Sequence, residues 1–287
     1  MYNLRLNLEG GFRQEVIYLG TSGFSYDDWK GVFYPRGLAK RDYLVYYADQ
    51  FPALELNSSY YAIPSPRLIE SLLRRTPEDF QIVVKAFRGI THEREDSAES
   101  SRRAFLEAVA PLAQGGKLAA VLLQFPYSFH YGKAQLEFLN RLLGQMRPYP
   151  TVVEFRNVGW MNSRVLDLLR SHDAALCCVD EPRLPGLMPR RALCTSSRLA
   201  YLRFHGRNAR KWWNHNESWE RYDYLYTREE LQEWIPAIRW LEKSAEKAFV
   251  FFNNHRSGQA IKNAREMGSL LGLPFPAQDE EDTPIVD

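Results

Sequence analysis

The segment AAVLLQF (residues 119–125) is an almost uninterrupted apolar run, and it determines the fold class. Strands of a parallel sheet are covered by helices on both faces, so they show continuous apolar runs rather than alternation. Seven other short β-rich runs occur along the chain. The eight predicted strands are 16–20, 53–57, 81–86, 119–124, 151–155, 174–179, 200–204 and 248–252.

Amphipathic stretches with helical spacing separate most of these strands. The predicted helices are 41–50, 66–76, 97–114, 133–146, 162–171, 228–246 and 258–272. Eight strands alternating with helices predict an α/β fold, a (β/α)8 barrel of the TIM type. A doubly wound open sheet is the alternative, but the Gly-rich dinucleotide fingerprint of such sheets is missing.

We expect one domain, the barrel, over residues 16–275. An N-terminal extension (1–15) precedes it and a flexible acidic tail (276–287) follows it. After the sixth strand, PRLPGLMPRRALCTSSR (182–198) has three prolines and no helical period. A loop is therefore predicted there in place of a helix.

Charge and composition exclude several classes of protein. Lys and Arg number 37 and Asp and Glu 35, a net charge of +2, so no overall field attracts nucleic acid or membrane. No apolar run approaches the roughly 18 residues of a membrane span, and the first residues lack a secretory segment. The three cysteines show neither metal-ligand spacing nor an even disulfide set. These features predict a cytoplasmic protein without a membrane partner.

Polar residues follow the predicted strands at nearly every C-terminal end, the face on which barrels build their sites. In VEFRNVGW (153–160), Glu154 and Arg156 are two residues apart and share one face of the strand. Arg203 and His205 do the same. If those faces meet in the barrel, three carboxylates join three cations, namely Glu55, Glu154, Asp180, Lys85, Arg156 and Arg203. Buried charges are a poor source of stability, so this pattern favours a small-molecule site over a structural plug.

The sequence thus predicts an enzyme that acts by acid/base chemistry on a small polar anion, a phosphate or a carboxylate. Hydrolase, lyase and isomerase classes remain open. Glu55, Lys85, Glu154 and His205 are the candidate catalytic residues, the glutamates as acid/base pair and His205 as proton shuttle. Lys85 could form a Schiff base only if desolvation lowered its pKa, so we expect it to anchor the anion. The predicted binding residues are Asn57, Tyr60, His92, Gln124, Arg156, Trp160, Asp180, Arg203, Asn253, Asn254, Ser257 and Gly258.

The last two of these come from NNHRSGQA (253–260), which follows strand eight. Ser257 is a plausible N-cap, and Gly258 would let the backbone approach a ligand at the start of a helix. Barrels often bind phosphate at this position. An ordinary capped helix is the alternative interpretation.

Two other functions are weaker alternatives. His205, His255 and Glu154 could hold a divalent metal in a hydrolase, although no H-E-x-x-H motif is present, and no cofactor is predicted. The segment 207–226 interleaves cations with Trp212, Trp213 and Trp219, which is typical of a single-stranded nucleic-acid platform or of a lid. The near-zero net charge disfavours the nucleic-acid function.

A series of motifs resembles the YecE-like family, catalogued as domain of unknown function 72. They are GTSGFSYDDWKGVFYP (20–35), ELNSSYYAIPSP (55–66), ITH (90–92), LLQFP (122–126), VEFRNVGW (153–160), LRFHG (202–206) and FFNNHRSGQAIKNA (251–264). The resemblance covers about residues 17–272 and implies a TIM-type barrel without an assigned activity. It also implies family positions at Glu55, Asn57, Tyr60, Lys85, His92, Gln124, Glu154, Arg156, Trp160, Arg203, His205, Gly206, Asn253 and Asn254. The chain departs from the family pattern at Phe24, at residues 58–59 and at Asn157, which could alter the substrate wall.

Overall fold

Eight parallel strands close into a barrel in the computed structural model, which describes residues 16–93 and 98–275. Each strand pairs with the next in sequence, and the first pairs with the last. This closure confirms the predicted TIM-type barrel and excludes the open sheet. The strands are β1 (Val16–Ser22), β2 (Ala53–Leu56), β3 (Gln81–Lys85), β4 (Leu118–Gln124), β5 (Thr151–Glu154), β6 (Ala175–Asp180), β7 (Leu199–Phe204) and β8 (Lys247–Phe252).

Helices cover the outside of the barrel. They are α1 (Tyr43–Gln50), α2 (Pro66–Arg75), α3 (Ala98–Gln114), α4 (Lys133–Met146), α5 (Ser163–Ser171), α6 (Arg228–Gln232), α7 (Ile235–Ser244) and α8 (Gln259–Leu270). The single helix predicted over 228–246 is instead two helices. Pro236 lies in the first turn of α7, where its missing N–H costs nothing, so a new helix begins there.

The connection between β6 and β7 contains no helix, as its prolines predict. Residues 181–198 form an irregular loop that begins at the barrel mouth, by which we mean the C-terminal ends of the strands. The predicted N-terminal extension and acidic tail lie outside the described residues.

Apolar side chains make up most of the buried core. All of β4 beyond its first residue is buried, as expected for a strand covered on both faces. Cys177, Cys178 and Cys194 are free thiols. None of the helices within 16–93 and 98–275 has the length and apolar character that a membrane span requires.

Candidate active site at the barrel mouth

A cavity of about 590 Å³ opens at the barrel mouth. Strand ends and the loops that follow them supply its lining. Eight of the residues predicted to form the site line it, namely Asn57, Tyr60, Lys85, His92, Gln124, Arg156, Arg203 and Asn253. These residues come from the ends of six strands, so the closed barrel brings together side chains that are far apart in sequence.

Arg203 is the centre of a buried ion network at the floor of this cavity. Its Nη1 donates to Glu154 Oε2 at 2.5 Å, and its Nη2 donates to Glu55 Oε1 at 2.6 Å and to Ser22 Oγ at 3.2 Å. Tyr201, two residues earlier on β7, donates its hydroxyl to Glu55 Oε2 at 2.6 Å. Both oxygens of Glu55 are therefore occupied by protein donors.

Glu154 forms ion pairs with Arg156 as well as with Arg203. Arg156 Nε lies 2.5 Å from Glu154 Oε1, and the Cys177 thiol lies 3.7 Å from Oε2. Burial alone would raise the pKa of Glu154, but Arg156 and Arg203 outweigh it and hold that pKa well below its ordinary value. Glu154 is thus a permanent anion near neutral pH.

His205 lies beneath the cavity, with its Nε2 3.3 Å from Glu154 Oε1. Asn253 Nδ2 lies 3.2 Å from its Nδ1. Burial, with the nearby Arg156, lowers the pKa of His205 to about 3 despite the carboxylate. The imidazole is therefore neutral at pH 7, and its role as a proton shuttle stays a prediction.

Lys85 occupies a different position from the two arginines. It lines the cavity, and its Nζ lies 4.4 Å from the centre of the Tyr60 ring. No carboxylate of the described residues comes within ion-pair distance of that nitrogen. Burial, assisted by Arg203, lowers the pKa of Lys85 to about 7.

The charges that face the cavity are all positive. Four cationic side chains line it, Lys85, Arg156, Arg203 and Arg221, whereas no Asp or Glu appears among the described residues of its lining. Glu55 and Glu154 are fully buried behind the arginines. The site consequently presents a cationic surface supported by an anionic layer.

The prediction that Asp180 joins this network is wrong. Asp180 faces the helices, where it accepts hydrogen bonds from Arg207 Nη2 (2.8 Å), Tyr226 OH (2.8 Å) and Trp234 Nε1 (2.6 Å). The next residue, Glu181, takes the inward position. Its Oε2 lies 3.5 Å from Arg156 Nη1, and its Oε1 accepts the Met188 N–H at 2.9 Å.

Glu181 was missed as a site residue, because β6 is buried along its whole length and the sequence does not show which of its residues face inward. Cys177 approaches Glu154, so Val179 and Glu181 share the inner face with it. Burial raises the pKa of Glu181 to about 7, against the opposing effect of Arg156. Tyr201 was also missed, although alternation along β7 places it on the same strand face as Arg203, two residues later.

Two predicted binding residues support the walls and do not line the cavity. Trp160 is fully buried, stacks on Phe155 with ring centres 4.5 Å apart, and donates Nε1 to the Phe129 carbonyl. Asn254 donates Nδ2 to the Tyr224 carbonyl and to Asn263 Oδ1, both at 2.8 Å. Both side chains are used in packing, so their prediction as ligand contacts is not supported.

The predicted anion site at the start of α8 is also not supported. The N-cap is Gly258 (φ 71°), not Ser257, and neither residue lines the cavity. The Ser257 N–H donates to Asp28 Oδ2 at 2.7 Å, so a carboxylate already occupies the place where an anion would bind. A side chain at position 258 would approach Val32 to within 2.6 Å, which explains the glycine by packing.

The 207–226 loop forms one wall of the cavity and is not an open stacking platform. Trp212 is buried, and Arg256 lies over the Trp219 ring at 4.3 Å. Trp213, in contrast, is 51% exposed and packs edge-on against Tyr127. One exposed indole beside a closed wall does not form the row of rings that successive bases need.

His205, His255 and Glu154 do not form a metal-binding group. Within the part of the chain that the structure describes, no three His, Cys, Asp or Glu side chains are arranged to hold a metal ion. His255 instead stacks on Tyr26, with ring centres 4.5 Å apart, and burial lowers its pKa.

Comparison with known proteins shows a consistent relationship. Residues 18–285 match the family described as "Protein of unknown function DUF72". The chain is 33% identical to the UPF0759 protein YunF of Bacillus subtilis over 274 residues, which cover 91% of this chain and 96% of that protein. A crystal structure of a DUF72 family protein from Thermotoga maritima is 40% identical, with a TM-score of 0.82 over 89% of this chain and 99% of that one. A second, from Enterococcus faecalis, is 30% identical, with a TM-score of 0.82 over 92% and 99%.

Proposed function

The chain belongs to the DUF72 family of proteins of unknown function, and we propose that its barrel mouth binds and transforms a small organic anion. The resemblance of its motifs to the YecE-like family is thereby confirmed. One observation supports the proposal above all others. Every charged side chain of the described cavity lining is cationic, and the carboxylates that balance them lie behind it.

Arg156 is the best-placed anion receptor. Its described protein contacts involve Nε, with Glu154, and Nη1, with Glu181, and they leave Nη2 without a protein partner. A guanidinium held in this way is oriented before a ligand arrives, which reduces the entropy cost of binding. Arg203 adds positive charge at the floor, although its own Nη atoms are already engaged.

The rest of the lining fits an organic body better than an inorganic ion. Aromatic side chains from several loops surround the cavity, among them Phe24, Tyr26, Tyr60, Trp212, Trp213 and Tyr222. Three amide side chains, of Asn57, Gln124 and Asn253, lie among them. Asn57 Oδ1 is buried and has no hydrogen-bond partner in the described structure, so it can accept a hydrogen bond from a ligand hydroxyl or amine.

Lys85 is the cavity residue suited to proton exchange. A group with a pKa near 7 is partly protonated and partly free at neutral pH, which is the best condition for general acid/base catalysis. We assign Glu55, Glu154 and His205 to positioning, because they are buried beneath the lining. The two glutamates pair with Arg203 and Arg156, and His205 contacts Glu154.

Tryptophan fluorescence provides the test, since Trp212, Trp213 and Trp219 line the cavity. Citrate and glucose 6-phosphate would be titrated, with glucose as the uncharged comparison. The anions should quench saturably and glucose should not. Losing a charge-assisted hydrogen bond costs about 1.5–3 kcal/mol, so Arg156→Gln should weaken anion binding by roughly 10- to 100-fold.

Arg170→Gln is the matched control, because Arg170 is exposed on α5 and pairs only with the neighbouring Asp167 in the described structure. It should bind like the wild type. Equal binding of glucose and glucose 6-phosphate, or an unchanged affinity in Arg156→Gln, would contradict the proposal.

A further inference from the structure

We propose that Lys85 is an amine nucleophile and that the ligand of the barrel mouth carries a carbonyl group, with which Lys85 forms an imine. This inference rests on the proposed function, because it assumes that the same cavity binds an organic anion. It goes further by naming the substrate class: a 2-oxo acid, or an aldehyde or ketone that bears a carboxylate or phosphate.

The position of Lys85 supports this role. Its backbone is fixed at the end of β3, where Ser59 Oγ donates to its carbonyl at 2.7 Å. Its amine reaches the cavity over the Tyr60 ring. Ordinary buried lysines are held by a carboxylate, yet none of the described carboxylates lies within ion-pair distance of this one.

The charges around the amine favour its reactive form. Glu55 and Glu154 each accept donors from Arg203, and Glu154 also pairs with Arg156. The carboxylates are thus engaged by the guanidinium groups. Glu154 and Glu55 still favour the charged form of Lys85, but burial and Arg203 outweigh them and lower its pKa. With a pKa of about 7, about half of the Lys85 amine is uncharged at pH 7, whereas an ordinary lysine is uncharged in fewer than about one molecule per thousand.

Arg156 provides a binding site for the anionic group of the ligand. An anion that binds its free Nη2 enters the cavity that Lys85 also lines, so one end of the ligand is held while the other meets the amine. A carbonyl carbon linked to a carboxylate or phosphate satisfies both contacts. A ligand without an anionic group would lose the first contact, and one without a carbonyl would lose the second.

The covalent step is balanced without an oxidant or reductant. The nitrogen lone pair attacks the carbonyl carbon, and the π electrons of the carbonyl move to oxygen. The oxygen takes up a proton and the nitrogen releases one, which gives a neutral carbinolamine. The nitrogen lone pair then expels the hydroxyl group, which leaves as water after a second proton adds to it. The product is a protonated imine, and water can reach the open cavity to reverse the reaction.

Reductive trapping tests the inference on the full chain. Protein at pH 7 is incubated with glyoxylate and sodium cyanoborohydride, and the intact mass and the modified peptides are measured by mass spectrometry. We expect one reduced adduct, on Lys85, that forms at least about 10-fold faster than modification of any other lysine, because so much more of its amine is uncharged.

Matched variants separate chemistry from charge. Lys85→Arg keeps the cation and should form no such adduct, whereas Lys262→Arg, at an exposed position on α8, should react like the wild type. Circular dichroism and thermal melting establish that both variants are folded. The peptide map of the wild-type protein identifies the reacting lysine even if a variant does not fold.

Glycolate, which has the anionic group but no carbonyl, distinguishes failure of this inference from failure of the proposed function. If glycolate and glyoxylate quench the tryptophan fluorescence but no adduct forms on Lys85, the inference is wrong and the anion site remains. If the adducts are spread evenly over surface lysines, the inference is also wrong. If neither compound nor any other small anion binds, the proposed function fails and the inference fails with it.

Discussion

Arg203 Nη1 donates to Glu154 Oε2 across the inside of the barrel, over 2.5 Å, and both side chains are buried. The two residues lie on β7 and β5, which are not neighbours in the sheet. Their contact therefore crosses the interior and closes it below the cavity. It also holds the buried guanidinium group in one orientation.

Glu154→Gln should destabilise the protein strongly while nearly preserving its shape. Two guanidinium groups, those of Arg156 and Arg203, would lose a buried counter-charge. Removing one partner of a buried pair costs roughly 3–5 kcal/mol, so the free energy of unfolding in urea should fall by that order. Glu137→Gln, at an exposed position on α4, is the control and should change it by less than about 0.5 kcal/mol. Similar losses for the two variants would contradict the network.

Glu181→Gln should remove a pH dependence of stability. Burial raises the folded-state pKa of Glu181 to about 7, above its unfolded value near 4.3. Between these values the folded state binds a proton that the unfolded state releases, so the stability of the wild type falls as pH rises. A glutamine cannot titrate. From pH 5 to pH 8 the stability of the variant relative to the wild type should rise by on the order of 2 kcal/mol.

Urea unfolding of both proteins at pH 5, 6.5 and 8 measures this difference. Parallel stability curves would show that Glu181 does not hold a proton in the folded state at pH 5.

Asp180→Asn should affect stability and leave anion binding unchanged. The carboxylate is fully buried on the helix side of β6, where Arg207, Tyr226 and Trp234 donate to it, and it does not line the cavity. The free energy of unfolding should fall by about 2–4 kcal/mol, because an arginine loses its buried partner. The affinity for citrate should stay within about 2-fold of the wild type.

Asp167→Asn, an exposed change on α5, is the matched control and should alter neither quantity. A large loss of citrate affinity in a folded Asp180→Asn protein would restore Asp180 to the site.

Trp213→Ala should weaken the binding of planar anions selectively. The indole is half exposed at the cavity wall and contacts Tyr127 edge-on. An aromatic contact is worth about 0.5–1.5 kcal/mol, so benzoate should bind roughly 2- to 10-fold more weakly by calorimetry. Acetate should be unaffected. Trp240→Ala, at an exposed position on α7, should change neither affinity, and an equal loss for benzoate and acetate would argue against stacking.

The sequence alone was sufficient for the architecture. Continuous apolar runs such as 119–125 mark strands buried on both faces, and amphipathic spacing marks the helices that cover them. The prolines of 182–198 predict the missing helix, because proline lacks the N–H that a helix interior requires. The meeting of Glu55, Glu154 and Arg203 could also be predicted, since closure of a barrel brings all strand ends to one rim.

The assignment of Asp180 and Glu181 needed the tertiary structure. The run ALCCVD is buried along its whole length, so polar and apolar residues do not alternate along it. Its sequence therefore does not show which residues face inward. Only the contact of Cys177 with Glu154 determines that face, and it places Glu181 inside and Asp180 outside.

The electrostatic properties of the site likewise depend on the tertiary structure. Lys85, Glu181 and His205 have the same covalent chemistry in any sequence, but burial and neighbouring charges shift their pKa values to about 7, 7 and 3. The sequence shows that carboxylates and cations occur together at the strand ends. It does not show which of them lie deeper in the barrel. Folding placed the carboxylates beneath the guanidinium groups, and this layering makes the cavity surface cationic. A ligand meets the charges at the ends of the side chains, and their depth in the barrel is set by the tertiary structure.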